Sequence, residues 1–298
     1  MRSIFGVLAL TLAGCFAVTP ETSEDARLPP EAGTPSLLPA VFALPVEHEH
    51  GAEPNVAADL QKPPVAPPAR ELREPTEWNG DRRLSGPDRV AHARTSKLAE
   101  VKALFEEAGV AYPPKDTLLR VFKQEAELEL WAGGGDEPLR LVTTYAICAA
   151  SGDLGPKRRE GDRQVPEGFY KIGYFDPTSA FHLAMLVDYP NASDRLRGGP
   201  QPGGEILIHG SCASIGCVAM SDERIEEIYL VGWATFLNRR PVHVHIFPGR
   251  DMDALLADTK YEAHRDFWRE LKVGHDAFEE TKRIPSVRIA ADGRYEVD

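Results

Sequence analysis

Cys217 follows His209 by eight residues in the stretch Ile206-Leu-Ile-His-Gly-Ser-Cys-Ala-Ser-Ile-Gly-Cys-Val-Ala-Met220. The stretch opens on a short apolar run after Gly203-Gly204, which reads as a buried strand, and passes through small residues and glycine to a helix beginning near Ser221. A thiol on a tight turn beside a helix stands where backbone N–H groups can point at a developing negative charge. Free cysteine, with a pKa of ~8.5, is only a few per cent thiolate near neutrality, and a histidine partner or a helix N-terminus lowers that value by several units. A cysteine and a histidine are therefore the minimum for an activated nucleophile. On this reading Cys217 attacks, His209 is its base, the Gly210 carbonyl orients the imidazole, and the N–H groups of Gly216 and Cys217 receive an oxyanion. The spacing alone is a generic pattern, shared by many unrelated chains.

The elements around this stretch change period. Upstream, Val90, Ala93, Leu98, Val101, Leu104, Phe105 and Ala108 form a helical stripe ending at Gly109. Alternating or apolar runs then read as strands: Thr117 to Lys123, Glu127 to Trp131, Leu139 to Cys148, Val165 to Gly173 and Phe181 to Asp188. Downstream, Ser221 caps a helix whose inner stripe is Ile225, Ile228, Tyr229, Gly232 and Phe236, stopped by Pro241. Val242 to Phe247 returns to a strand, Met252 to Leu271 is helical in two pieces, and Val287 to Ala290 with Arg294 to Val297 closes as a hairpin around Asp292-Gly293. The fold class expected is α+β, a mostly β core with peripheral helices.

About half of the 25 prolines lie between Cys15 and Trp78, so the core belongs to residues 85–298 of the 298-residue chain. Residues 1–14 read as a signal segment: Arg2 supplies a positive n-region, Ile4 to Ala13 an apolar h-region, and Leu12-Ala13-Gly14-Cys15 resembles a bacterial lipobox. That resemblance implies cleavage before Cys15, lipidation of its thiol, and a periplasmic chain anchored without spanning the membrane. Phe16 after the lipid cysteine favours the outer membrane. Residues 15–84 are then a Pro-rich disordered tether that, at ~3.1 Å per residue, reaches over ~100 Å. A net charge of -12 argues against a sequence-independent nucleic-acid binder.

Ile208-His-Gly followed by Ser214-x-Gly-Cys217 resembles the active-site signature of the YkuD-type L,D-transpeptidases. The flanking Ser151-Gly-Asp-Leu-Gly-Pro-Lys157, Gly161-Asp-x-x-Val-Pro-Glu-Gly168, Tyr189-Pro-Asn191, Gly216-Cys-Val-Ala-Met220 and Glu227-Ile-Tyr229 are similar to its YafK-like branch. The resemblance runs from about Ser85 to the C-terminus and implies a β-rich catalytic domain, with mixed sheets or a β-sandwich core. It also implies a periplasmic enzyme on peptidoglycan stem peptides, working without metal or cofactor. Cys217 would attack a diamino-acid carbonyl, and the resulting thioester would pass its acyl group to an amine or to water. Ser214 belongs to the same signature. The chain departs from the wider family at Ile215, where a histidine is usual, and at Ala219, where an arginine is common. Both departures fit the branch, which includes an amidase that detaches a lipoprotein from peptidoglycan. Hydrolysis is therefore as credible as transfer and slightly favoured, with such a lipoprotein as a second partner. The rival from another class is a catalytically silent peptidoglycan-binding lipoprotein.

Beyond Cys15, the cysteines are Cys148, Cys212 and Cys217. In an oxidising compartment, with Cys217 kept as thiolate, Cys148 and Cys212 either pair or pack as buried free thiols. His243 and His245 share one strand face without a zinc-ligand spacing, so they read as polar surface or satisfied buried groups. His182, on an apolar strand, reads as a structural or substrate-wall residue rather than a second base. Arg158, Arg159, Arg163, Arg195 and Arg197 are loop cations, either solvated or receiving stem-peptide carboxylates. Tyr170, Tyr174 and Tyr189 either line a cleft or pack in the core. Arg163, Tyr189, Arg195 and His182 are the substrate-binding candidates.

Overall fold

The computed structural model describes residues 86–298. The signal segment 1–14, the lipidation candidate Cys15 and the tether to residue 84 lie outside the described residues. Helix α1 (Gly86–Glu107) buries Ala93, Val101, Leu104 and Phe105 and stops where Gly109 takes φ +66, a conformation that favours glycine. Strands β1 (Asp116–Phe122), β2 (Glu127–Gly133) and β3 (Arg140–Ala146) form an antiparallel meander. Then follow β4 (Gly168–Asp176), β5 (Ala184–Val187), the short α2 (Ala192–Arg197), β6 (Leu207–His209) and β7 (Val218–Ala219). Helix α3 (Asp222–Leu237) leads to β8 (Val242–Phe247), and α4 (Met252–Ala257), a 3-10 turn (Thr259–His264) and α5 (Arg265–Thr281) precede the hairpin β9 (Val287–Ile289) and β10 (Tyr295–Val297).

Eight strands make one mixed sheet in the order β3-β2-β1-β8-β4-β5-β6-β7, with β1/β8 and β6/β7 parallel. The two ends of that order meet. Cys148 N–H donates to the Ala219 carbonyl at 2.8 Å and Ala219 N–H donates to that of Ala149 at 3.0 Å, so the sheet curls on itself. Side chains alternate across the sheet because the strand period is two. Leu119, Val121 and Val244 pack with Phe105 of α1 and Ile228 of α3 on one side. Phe122 and Phe247 face Met252, Trp268 and Leu271 on the other. Elements cover both faces, which is why β1 reads as a nearly continuous apolar run.

The fold class matches the α+β reading, and the choice between mixed sheets and a sandwich resolves to one curled sheet plus a hairpin. Several elements differ in detail, three of them instructively. The strand expected from Phe181 begins only at Ala184. Residues before it turn instead, with His182 at φ +72 and the carbonyls of Ser179 and His182 both accepting from Arg89 Nη1, at 2.6 and 2.7 Å. Helix α2 was not anticipated; it rests on a capping box in which the Asn191 side chain accepts Asp194 N–H and the Asp194 side chain accepts Asn191 N–H. Helix α5 continues past Leu271 because His275 and Phe278 extend its buried stripe.

Candidate active site

The strand β6 carries His209 between β5 on one side and β7 on the other. In the parallel register Ile208 stands beside Val218 and His209 beside Ala219, so Cys217 falls next to Leu207, two residues from His209 along the ladder. Strand spacings of about 4.8 Å across and about 3.3 Å per residue put the two backbones roughly 8 Å apart, a span that two side chains on one face can close. The Cys217 Sγ accepts the Leu207 N–H at 3.4 Å and lies 3.7 Å from the Glu205 carbonyl. Cys217 takes part in no disulfide and is partly exposed.

His209 is 1% exposed. Its Nδ1 lies 2.6 Å from the Gly210 carbonyl oxygen. Burial pushes its pKa below the usual histidine value, against the Gly210 hydrogen bond and the Asp222 carboxylate, which favour the charged form. The Phe181 ring lies over the imidazole, centroids 4.6 Å apart. Asp222, in the first turn of α3, also accepts the Ser211 N–H at 2.7 Å and so fixes the chain just after His209.

From Ser211 to Cys217 the backbone is bent through left-handed conformations at Ser211 (φ 70), Cys212 (φ 40) and Gly216 (φ 131). Besides Asp222 and a bond from Cys212 N–H to the Met220 carbonyl at 3.4 Å, two further devices hold it. Cys212 is disulfide-bonded to Cys148, Cα to Cα 5.2 Å, which ties the loop to the end of β3. Ser214 Oγ accepts the N–H groups of Gly216 at 3.2 Å and Cys217 at 2.9 Å and donates to the Cys217 carbonyl at 2.7 Å. The Gly216 and Cys217 N–H groups, the candidate oxyanion donors, thus meet Ser214 Oγ within the turn. Ile215, two residues before Cys217, is 70% exposed, whereas Ala219 is fully buried.

Of the substrate-binding candidates, Arg163 stands by the turn. It is exposed, and its Cα lies 3.9 Å from where a Cβ on Gly216 would sit. Tyr189 does not line a cleft: it is 5% exposed and its hydroxyl donates to the Pro202 carbonyl at 3.0 Å. His182 is likewise no cleft wall, being buried with Nε2 2.9 Å from Glu226 Oε1. Arg195 is exposed on α2, where its charge acts on Asp188 and Asp194. Arg158 pairs with Asp194 at 3.4 Å and Arg197 forks onto Glu270 at 2.8 Å, so both brace the fold, while Arg159 is exposed.

The two polar loop motifs are scaffolding for the cleft. Asp162 accepts from Lys157 Nζ at 2.6 Å and from the N–H groups of Arg158 and Arg159 at 2.9 Å. Glu167, fully buried, accepts from Gly155 N–H and Trp268 Nε1 at 2.7 Å and from Lys123 Nζ at 3.0 Å. A cleft of about 750 Å³ runs past the Ala149–Gly152 edge to Lys260, Tyr261 and His264. The Ala149↔Ala219 bridge sets that edge beside β7, the strand that follows Cys217.

Sequence reasoning missed Phe181 and Glu226, and read Asp222 only as a helix-terminal charge. Nothing local marks the first two, which act through contacts spanning 28 and 44 residues. Burial holds His245 well below the usual histidine range and His243 down to about 4. Among the described residues no group of three or more His, Cys, Asp or Glu is arranged to hold a metal ion.

The YkuD family model, an L,D-transpeptidase catalytic domain, matches residues 116–231. YafK of Escherichia coli strain K12, which carries the provisional name of an L,D-transpeptidase, is 41% identical over 182 residues, covering 60% of this chain and 72% of its own. The same protein from Escherichia coli O157:H7 matches to the same extent. Among solved structures, the helical cell shape determining protein Pgp2 of Campylobacter jejuni covers 64% of this chain and 80% of its own, at 17% identity and a TM-score of 0.38. An L,D-transpeptidase of Xylanimonas cellulosilytica covers 49% and 68%, at 16% identity and a TM-score of 0.28. With 41% identity across 72% of the Escherichia coli relative, and the family's catalytic domain matched over the segment that holds His209 and Cys217, this chain belongs to the L,D-transpeptidase family, which acts on peptidoglycan stem peptides.

Proposed function

We propose that the chain is a cysteine acyl-transfer enzyme in which Cys217 attacks the carbonyl of a diamino-acid residue in a stem peptide. The thiol proton passes to His209 Nε2 as the S–C bond forms, and from there to the departing amine as the C–N bond breaks. Water or a second amine then cleaves the thioester, and His209 takes that nucleophile's proton in turn. The observation that carries this reading is the 2.6 Å contact of His209 Nδ1 with the Gly210 carbonyl, which leaves Nε2 as the basic nitrogen.

Hydrolysis is the favoured outcome. Cys217 is partly exposed and its neighbour Ile215 is 70% exposed, an arrangement that admits water to a thioester. Peptidoglycan carrying a covalently attached lipoprotein is then a fitting substrate, with amide cleavage releasing the protein. The lipobox-like Leu12-Ala13-Gly14-Cys15 supports an exported, lipid-anchored enzyme whose Pro-rich segment lets the domain reach an immobile wall from the outer membrane.

The test is mass spectrometry of sacculi, with and without bound lipoprotein, after incubation with the wild-type chain or Cys217→Ala. Released lipoprotein or shortened stems with wild type, and none with Cys217→Ala, support hydrolysis. New cross-linked dimers would instead assign transfer. Equal products from both proteins sink the mechanism, and binding without any product favours the silent lipoprotein.

A further inference from the structure

We infer that Phe181 is a positioning residue for His209, held over the imidazole by a clamp assembled from α1 and α3. The inference rests on His209 being the base. The two ring planes are 36° apart with centroids at 4.6 Å, and Phe181 is 38% exposed. It is one of the exposed large apolar side chains rather than a member of the buried core, and its ring contact is with His209.

The segment that presents Phe181 is over-determined. Arg89 of α1 donates to the carbonyls of Ser179 and His182, on either side of the ring. Phe181 N–H donates to Ser179 Oγ at 3.1 Å. His182 is kept at φ +72, which side-chain-bearing residues rarely adopt, with its Nε2 2.9 Å from Glu226 of α3. Ser96 of α1 reaches the other Glu226 oxygen at 3.3 Å. The Phe181 carbonyl lies 2.9 Å from where a Cβ on residue 210 would sit, so residue 210 must be glycine for the segment to close on β6. Strain maintained by contacts from two helices, at a residue whose neighbour touches the base, points to a role at that base.

The ring shields one face of the imidazole from water and fixes its plane, so that Nδ1 stays on the Gly210 carbonyl. The ionisable groups around His209 are Asp222 at the start of α3, which favours the imidazolium, and Cys217 on the nucleophile turn. The His182–Glu226 pair stands behind Phe181. Phe181 opposes Asp222 by excluding solvent and keeps the base unprotonated at neutral pH.

The test uses the full chain with Phe181→Ala, Phe181→Tyr and Glu226→Gln, reading the His209 titration by NMR and the pH dependence of Cys217 alkylation by iodoacetamide. Neither readout requires turnover, so a failure here is separable from a failure of the proposed reaction, which the Cys217→Ala product analysis decides. Phe181→Ala should raise the His209 midpoint by about 0.5–1 unit. On a peptidoglycan substrate it should lower kcat about 10-fold with KM nearly unchanged. Phe181→Tyr should restore wild-type values, and Glu226→Gln should move them in the direction of Phe181→Ala. An unchanged His209 midpoint in Phe181→Ala, or Phe181→Tyr behaving like Phe181→Ala, overturns the assignment. Should Phe181→Ala fail to fold, the tyrosine and Glu226→Gln variants decide it: an unmoved midpoint in Glu226→Gln then overturns the clamp.

Discussion

His209 Nδ1 and the Gly210 carbonyl oxygen lie 2.6 Å apart. A carbonyl oxygen can only accept, so the imidazole proton sits on Nδ1 and the neighbouring residue in sequence selects the tautomer. No carboxylate is needed for that role, and Asp222 acts on the ring only through its charge.

The first prediction concerns pH. Burial lowers the His209 pKa, so the ring stays neutral, and competent as a base, at pH values where an ordinary histidine is already protonated. The acid limb of kcat/KM should therefore have its midpoint below about 6.5. Asp222 raises the pKa, so Asp222→Asn should move the acid limb to still lower pH while keeping an acceptor for the Ser211 N–H. A shift of the limb upward in Asp222→Asn would contradict the electrostatic assignment.

Ser214 supplies a second prediction. Its hydroxyl is the partner of two backbone N–H groups and one carbonyl in the turn that carries Cys217. Leaving such groups without a partner costs about 1–3 kcal/mol. Ser214→Ala should therefore reduce kcat by roughly 10- to 100-fold. Ser214→Thr, which keeps the hydroxyl, should stay close to wild type. Steady-state kinetics with a melting curve separates loss of catalysis from loss of fold; an Ala variant as active as wild type would mean that the turn is held without Ser214.

The candidate pair Cys217 and His209 stood out in the sequence because they lie on one strand and the turn that follows it, so nine residues of sequence contain both. Helices α1 and α3 were legible from their period, and the Ser221 cap from its residue type, since its side chain does accept Arg224 N–H. The segment before Ala184 was not. Phe181 to Asp188 has the apolar composition of a strand, and what turns its first residues away is Arg89, some 90 residues upstream, together with Glu226, 44 residues downstream of His182. The same holds for the oxyanion donors. Their position on the turn suggested availability, and only the three-dimensional placement of Ser214 Oγ reveals that they are occupied. Local pattern carries local structure; long-range polar contacts decide which groups remain free for chemistry.

The Cys148–Cys212 disulfide yields the last prediction. It closes a loop of 64 residues and joins the strand end at Cys148, itself paired to Ala219, to the loop between His209 and Cys217. The chain-entropy estimate for a loop of that length is about 4 kcal/mol, an upper figure because the unfolded chain retains structure. For a domain of this size that corresponds to a fall in Tm of about 10 °C on reduction or in Cys148→Ser. The two ends of the bond have unequal consequences. Cys148 leaves β3 in a backbone ladder that persists without its sulfur, whereas Cys212 sits at φ 40 in a loop otherwise held by Asp222, Ser214 and one long bond from Cys212 N–H to the Met220 carbonyl at 3.4 Å. Reduction should therefore depress kcat at temperatures well below the new Tm, because the loop that sets Cys217 against His209 gains freedom before the sheet melts. Activity and near-ultraviolet circular dichroism measured together across a dithiothreitol titration check this. Activity that falls only in step with unfolding would reduce the disulfide to a stabiliser of the fold, and activity lost first would make it a device that positions the nucleophile.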